Sequence, residues 1–546
     1  MTIKDILSKI PYSADLYDAI LRRRPSTRYK LENLQKHLPA AVAQVRPFVE
    51  KAPKGKKLLL FATLHYWVEQ AAIVGLALRG MGHEVTIAYL PYGDWRKEVN
   101  AFDLRRQDLY TRRVLAPLNG LVKIVSLLDV VASERTPASE ATPARQGNAV
   151  KREIASGLSP LAMTLEKAVE TVSAYDAMYT NQEENVDRES DLYRLRGGRN
   201  RSAALAAMRL LQESRPETVL IPNGTITELG AVYQVARQLG IETVTYEFND
   251  QREQVWIAQN DEVMRQDTDL LWAARGGRAL LPEQREKIEA LEAARMGAKA
   301  FGKSIRKWQD VETVGGEKIR ADLGLDSRPV VLLATNVLGD SLTLGRNIFA
   351  ASMAEWITRT VQYFAGRADA QLVIRVHPGE RLTHGKSMVD VVREALPELP
   401  ANIRLIGPLE KVNTYDLMEI ASLGLVYTTT TGMEMALQGI PVVACGETHY
   451  RKRGFTFDPM TYDEYLGTLD TLLTQLPITP LTNRQIETAW EYAYRFFFEY
   501  PLPFPWRLMH FWKDYEVWNL ARVLSNEGKT EFGKTFGFLA GEPLEY

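Results

Sequence analysis

The chain has one cysteine in 546 residues, Cys445, which excludes an internal disulfide, and its place inside an apolar run makes it a small core residue. An excess of charge of either sign is lacking too. With 67 Lys+Arg against 68 Asp+Glu the formal net charge is −1, so there is no global electrostatic footprint for nucleic acid. Long hydrophobic runs are missing. The N-terminal MTIKDILSKIPYSADLYDAI has no uninterrupted apolar core of a signal peptide, and the most hydrophobic stretch, Leu58 to Leu78, is broken by His65, Glu69 and Gln70, which argues against a membrane span. The expected location is therefore the cytoplasm. The first strand–helix unit lacks a G-x-G-x-x-G, which disfavours a dinucleotide cofactor. Asp267-Thr268-Asp269 matches a D-x-D metal motif by letters only, because it lies in a charged helical stretch rather than after a strand, and no metal site is expected.

What is present is an ordinary soluble composition, 45% hydrophobic and 25% charged, in a chain too long for one core. Residues 1–55 read as amphipathic helices ending at KAPKGKK. Residues 56–255 form a first α/β lobe with a helical insertion over about 92–214; 256–325 are a helical connector without β pattern; 326–480 form a second lobe; and 481–546 are aromatic-rich helices. In the first lobe, LLLFATLHYWVEQAAIVGLALRGMGHEVTIAYLP and TVLIPNGTITELGAVYQVARQLGIETVTYEFND each read strand–helix–strand. The segment SERTPASEATPARQGN (133–148) is poor in apolar residues and predicts a mobile loop. Arg194, Arg196, Arg199 and Arg201 cluster in what reads as a solvated basic loop, with contact to an anionic substrate as the alternative.

The second lobe carries the densest signal. PVVLLATN (329–336), QLVIRVHPGE (371–380), NIRLIGP (402–408) and LGLVYTTTTGMEMALQGIPVVACG (423–446) are short apolar strands separated by helical segments, as in a doubly wound parallel sheet. Four threonines, Thr428 to Thr431, and Gly432 precede a short helix that ends at Gly439 and Pro441. Hydroxyls around a helix N-terminus, with a glycine for close approach, predict a phosphate seat. Glu434 would accept from a ribose diol, and His377 would donate to phosphate. The alternative is that the threonines only cap the helix and Glu434 only complements its dipole.

The order NVLGDS (336–341), VIRVHPGE (373–380), TTTGMEMALQGIPVV (429–443) and HYRKRGFTFDP (449–459) resembles bacterial capsule and surface-polysaccharide biosynthesis proteins of GT-B type, over roughly residues 329–465. The resemblance implies two Rossmann-like doubly wound lobes with the C-terminal helices packing back on the first. It also implies donor-nucleotide contacts from His377, Thr430, Thr431 and Glu434, to which their neighbours Asn336, Arg375, Pro378 and Gly432 are added. Threonines stand where such families are expected to have serine. The expected activity is metal-independent transfer of a sugar from a nucleotide-sugar donor to a glycan or lipid-linked glycan acceptor. The leaving phosphate would be held by N–H groups, hydroxyls, His377 and Arg375 or Lys452. A sugar-nucleotide epimerase or hydrolase, or a silent assembly partner, is the alternative on the same fold. No cofactor beyond the donor is implied. FFFEYPLPFPWRLMHFWKDYEVW (496–518) is expected to pack on the first lobe, with peripheral contact at the inner face of the membrane as the rival reading. The group handling the acceptor proton is expected at a strand-end loop of the first lobe: Glu228 first, then Glu247, with Asp250 and His65 also in position.

Overall fold

The structure is a computed structural model, which describes residues 3–21, 28–132, 160–248, 253–297, 311–475 and 477–546. The expected mobile loop at 133–148, and Asp250, lie outside the described residues. The first sheet contains β1 (Lys57–Thr63), β2 (Glu84–Leu90), β3 (Lys123–Ser126), β4 (Thr218–Pro222), β5 (Glu242–Phe248) and β6 (Gln254–Gln259). They lie in the order β6-β5-β4-β1-β2-β3, with β1 to β5 parallel and β6 antiparallel to β5. Two of these strands correct the sequence reading. β3 interrupts the expected helical insertion, and β6 extends the sheet into the expected connector; β3 has only four residues, and β6, QVWIAQ, is polar at both ends.

Leu58 to Ala62 of β1 are buried because helices cover both faces of the sheet, and such strands read as unbroken apolar runs. Helix His65–Gly80, which follows β1, is buried from Trp67 to Leu78. It is enclosed in turn by helix Glu32–Val49 and by the C-terminal segment. Leu34 N–H donates to Glu69 at 3.3 Å, and the indole N–H of Trp512 donates to the same carboxylate at 3.0 Å. The near-membrane hydropathy of Leu58 to Leu78 is thus the signature of a helix sandwiched between protein layers.

The second sheet contains β7 (Val330–Ala334), β8 (Gln371–Arg375), β9 (Ile403–Ile406), β10 (Ala421–Val426) and β11 (Val442–Ala444), all parallel, in the order β11-β10-β7-β8-β9. In both sheets the chain starts in the middle, builds one flank, then returns to build the other. Each sheet therefore has a switch point, between β1 and β4 and between β7 and β10, where a crevice opens at the carboxyl ends. The lobes meet closely at helix Pro160–Asn181. A Cβ on Gly339, after β7, would lie 2.2 Å from the carbonyl oxygen of Met178, and Glu184 accepts from the N–H groups of Met353 and Ala354 at 2.9 and 2.8 Å.

Helix Asn483–Tyr494 opens on the expected capping box, Thr482 with Gln485, and joins the second-lobe core together with Phe496 and Tyr500. The chain then crosses over. Strand β12 (Leu502–Pro503) pairs antiparallel with β6, and Phe504, Trp506, Phe511 and Tyr515 enter the first-lobe core. This confirms the packing expectation and removes these rings from any membrane contact: Trp506 is 0% exposed and Phe504 1%. Burying side chains of this size yields about 1.5–3 kcal/mol each, which holds the crossing in place. Among the described residues no helix is long and apolar enough to cross a membrane.

Candidate active site

At the second switch point three strand-end loops are stitched together by the two residues after β7. Thr335 Oγ1 accepts from the N–H of His377 at 3.0 Å, and Asn336 Oδ1 accepts from the N–H of Thr428 at 3.1 Å. Asn336, the His377-Pro378 loop and the threonine turn therefore converge, as the sequence predicted. His377 Nδ1 accepts from Gly379 N–H at 3.0 Å, so the neutral ring carries its proton on Nε2. Pro378 opens a short 3₁₀ turn, Pro378–Leu382, its fixed φ suiting that first position. Thr429 Oγ1 meets Thr431 Oγ1 at 3.1 Å and accepts from Thr431 N–H at 3.3 Å, while the buried Thr428 hydroxyl has no partner among the described residues.

Three residues assigned to the seat are engaged elsewhere. Gly432 is small for the protein's own sake, since a Cβ there would lie 2.5 Å from the hydroxyl of Tyr450, which donates to Thr429 O at 2.6 Å. Glu434 meets Arg295 of the connector at 2.5 Å and accepts from Tyr415 at 3.0 Å. Its carboxylate is 5% exposed, which does not suit a ribose acceptor. Arg375 donates to Gly407 O at 2.7 Å, on the β9 side of the sheet away from the threonines. Burial lowers its pKa to about 10. The HYRKRGFTFDP stretch is structural as well. Arg453 reaches Asp269 and Thr268 Oγ1, Lys452 N–H donates to Asp458, and Asp267 caps the N–H of Asp269, so the D-x-D letters mark a turn and an ion pair. Among the described residues no three His, Cys, Asp or Glu side chains converge on a metal position.

Arg346 was not foreseen. It lies in the loop after β7 and is 3% exposed, and its guanidinium has no hydrogen bond or ion pair among the described residues. Burial lowers its pKa, reinforced by Arg265, against the weaker pull of Glu447, Glu262 and Asp261. Its neighbours place it beside the threonine turn: Arg346 O accepts from Glu447 N–H at 2.8 Å, and Tyr427 donates to Asn347 at 3.0 Å. A guanidinium this little exposed and without a protein acceptor has N–H donors to offer an anion. Sequence carries no signal for this, because an arginine in a polar loop is ordinarily solvated.

The first switch point has a different character. Leu64, Asn223 and Thr227 have φ of 62°, 60° and 57°. Positive φ is strained for a leucine and more so for a β-branched threonine, and such strain collects where structure serves a site. Asn223 Nδ2 donates to Glu247 at 3.2 Å, and Phe248 N–H donates to the other carboxylate oxygen at 3.0 Å. Burial nevertheless raises the pKa of Glu247. Burial raises the pKa of Tyr179, and the charges of Asp340, on the loop after β7, and of Glu247 add to the rise. Burial raises the pKa of Asp340 as well. His65 begins the helix after β1, its pKa lowered by burial.

Glu228, the first choice for proton transfer, is sequestered. It is 1% exposed and meets Arg196 at 3.0 Å, and Arg196 is held on its other side by Asp176 at 3.0 Å. The expected solvated basic loop is helix Asp191–Ser214. Arg196 is fully buried, and Arg199 donates to Asp94 O and Lys97 O at 2.8 and 2.6 Å. Arg196 and Arg199 brace the lobe, whereas Arg194 and Arg201 face solvent as expected, their side chains 60% and 49% exposed.

Two doubly wound parallel lobes joined by a helical connector and a returning C-terminus are the GT-B arrangement. Residues 292–468 match the model of the family described as capsule polysaccharide biosynthesis protein. No curated protein matches the chain. Among solved structures, Thermosulfurimonas dismutans KpsC, beta Kdo 2,4 transferase, is similar at 17% identity over 50% of this chain and 79% of its own, with a TM-score of 0.33. The beta Kdo 2,7 transferase of the same KpsC is similar at 14% identity over 52% of this chain and 79% of its own, with a TM-score of 0.31. UDP-GlcNAc 2-epimerase from Neisseria meningitidis is similar at 11% identity over 81% of this chain and 100% of its own, with a TM-score of 0.25.

Proposed function

We propose that the protein is a glycosyltransferase of capsule or surface-polysaccharide synthesis, taking its sugar from a nucleotide-activated donor bound on the second lobe and passing it to a glycan or lipid-linked glycan. The observation that carries this reading is the stitching of the His377, Asn336 and Thr428 loops at the second switch point by hydrogen bonds from Thr335 and Asn336. It gathers hydroxyl and imidazole donors where a doubly wound sheet places ligands, with the cation of Arg346 alongside. Donor groups fixed before the reaction can stabilise charge growing on a leaving phosphate without a metal. Turnover should accordingly survive EDTA. Glu247 takes the acceptor proton: burial raises its affinity for protons, and two hydrogen bonds orient it.

The test is nucleotide binding by calorimetry. His377→Ala, and the pair Thr430→Val with Thr431→Val, should each weaken it by about 1.5–3 kcal/mol, the worth of a hydrogen bond to a charged group. Unchanged affinity in both returns these residues to capping and packing.

A further inference from the structure

A surface helix ordinarily buries its apolar stripe and turns its charges to water. Helix Ser13–Leu21 does the reverse. Its carboxylates face the first lobe, where Asp15 meets Arg105 at 2.8 Å and Asp18 meets Arg113 at 2.6 Å on helix Ala101–Leu115. In the preceding helix Ile3–Leu7, Lys4 meets Asp103 of the same helix at 2.7 Å. With the ionic face used for attachment, the apolar face is left outside. Ile6 is 50% exposed, Ile10 51%, Leu16 63%, Ile20 70% and Tyr12 82%.

Side chains of this size exposed together on one small element mark a surface that something covers. The local charge says what. The acids of helix Ser13–Leu21 are taken up by ion pairs, whereas Lys9, between the two helices, and Lys30, after them, are exposed cations with no ion pair among the described residues, and the exposed Arg28 lies 3.8 Å from Asp94. A second copy of the chain would set these cations against themselves. An anionic lipid surface complements both the apolar face and the charge around it. The two helices, of 5 and 9 residues, are far too short to span a bilayer, so they can only lie in its interface.

We propose that the face formed by Ile6, Ile10, Tyr12, Leu16 and Ile20 docks the protein in plane on an anionic membrane surface, a role that the buried rings of residues 496–518 cannot fill. The inference is independent of what the lobes catalyse. Flotation of the full chain with vesicles tests it, comparing zwitterionic lipid alone with zwitterionic lipid containing phosphatidylglycerol. The wild-type chain should float with the anionic vesicles only, and added salt should weaken the association. The pair Leu16→Glu with Ile20→Glu should lower vesicle affinity roughly tenfold or more while leaving the thermal transition unchanged. Ile10→Ser, a milder change on the same face, should show a smaller loss and serves if the double variant folds poorly. Failure of the wild-type chain to bind either vesicle would overturn the proposal, as would variants that bind as tightly as wild type. A dimer in solution that the substitutions convert to monomer, without vesicle binding, would assign the face to a second copy instead.

Discussion

The two switch points have the same topology and opposite chemistry. The second is built of donors on relaxed backbone. The hydroxyl of Thr428 has no partner among the described residues, the imidazole of His377 is fixed by Gly379, and the cation of Arg346 is buried beside them. The first is built of acceptors on strained backbone, with Leu64, Asn223 and Thr227 at positive φ and the carboxylate of Glu247 raised in pKa by burial. An anion belongs on the donor side and a proton on the acceptor side. The comparison shows why one fold used twice in a chain need not do the same work twice.

The largest expected effect is on the acceptor side. Glu247→Gln should cut turnover roughly 10²–10⁴-fold with nucleotide affinity intact, whereas Glu228→Gln should act mainly on stability by breaking a buried ion pair. A turnover collapse confined to Glu228→Gln would reverse the assignment.

The first lobe buries acid away from the crevice as well, and that has a pH signature. Burial raises Glu69 from 4.5 to about 7, against the hydrogen bonds from Trp512 and Leu34. The folded state then binds more protons than the unfolded one, so stability present below pH 4.5 is lost as pH rises toward about 7. A shift of this size corresponds to about 3 kcal/mol. In Glu69→Gln that component of the pH dependence should vanish, as measured by denaturant unfolding across this range; an unchanged profile would mean that Glu69 ionises freely.

On the donor side, Arg346→Ala should weaken nucleotide binding by about 1.5–3 kcal/mol in calorimetry, with Arg346→Lys recovering part of the loss. Full affinity in Arg346→Ala would leave the guanidinium a structural cation answering Glu262 and Glu447. The smallest effect concerns the strain. Thr227→Gly should raise stability by about 1 kcal/mol while lowering turnover, if the strained turn is held for the site's benefit. A loss of stability would show that the threonine side chain outweighs the strain.

Much of the architecture was legible from the chain itself. The apolar strands of the second lobe, the capping box at Thr482 and the helix marked by Gly439 are local signals, and so was the convergence of His377, Asn336 and the threonines, because parallel strand order alone brings their loops to one edge. Packing decided the rest. Glu228 is taken up by Arg196 on another helix, Glu247 is held by Asn223 at the end of the neighbouring strand, and Glu434 meets Arg295, 139 positions away. No local pattern encodes such partners. The same holds for Arg346, Gly432 and the aromatic C-terminus, whose composition suits a membrane as well as a core. The N-terminal helices show the limit most directly. Their sequence announces amphipathic helices, but only the ion pairs to helix Ala101–Leu115 decide which face turns outward.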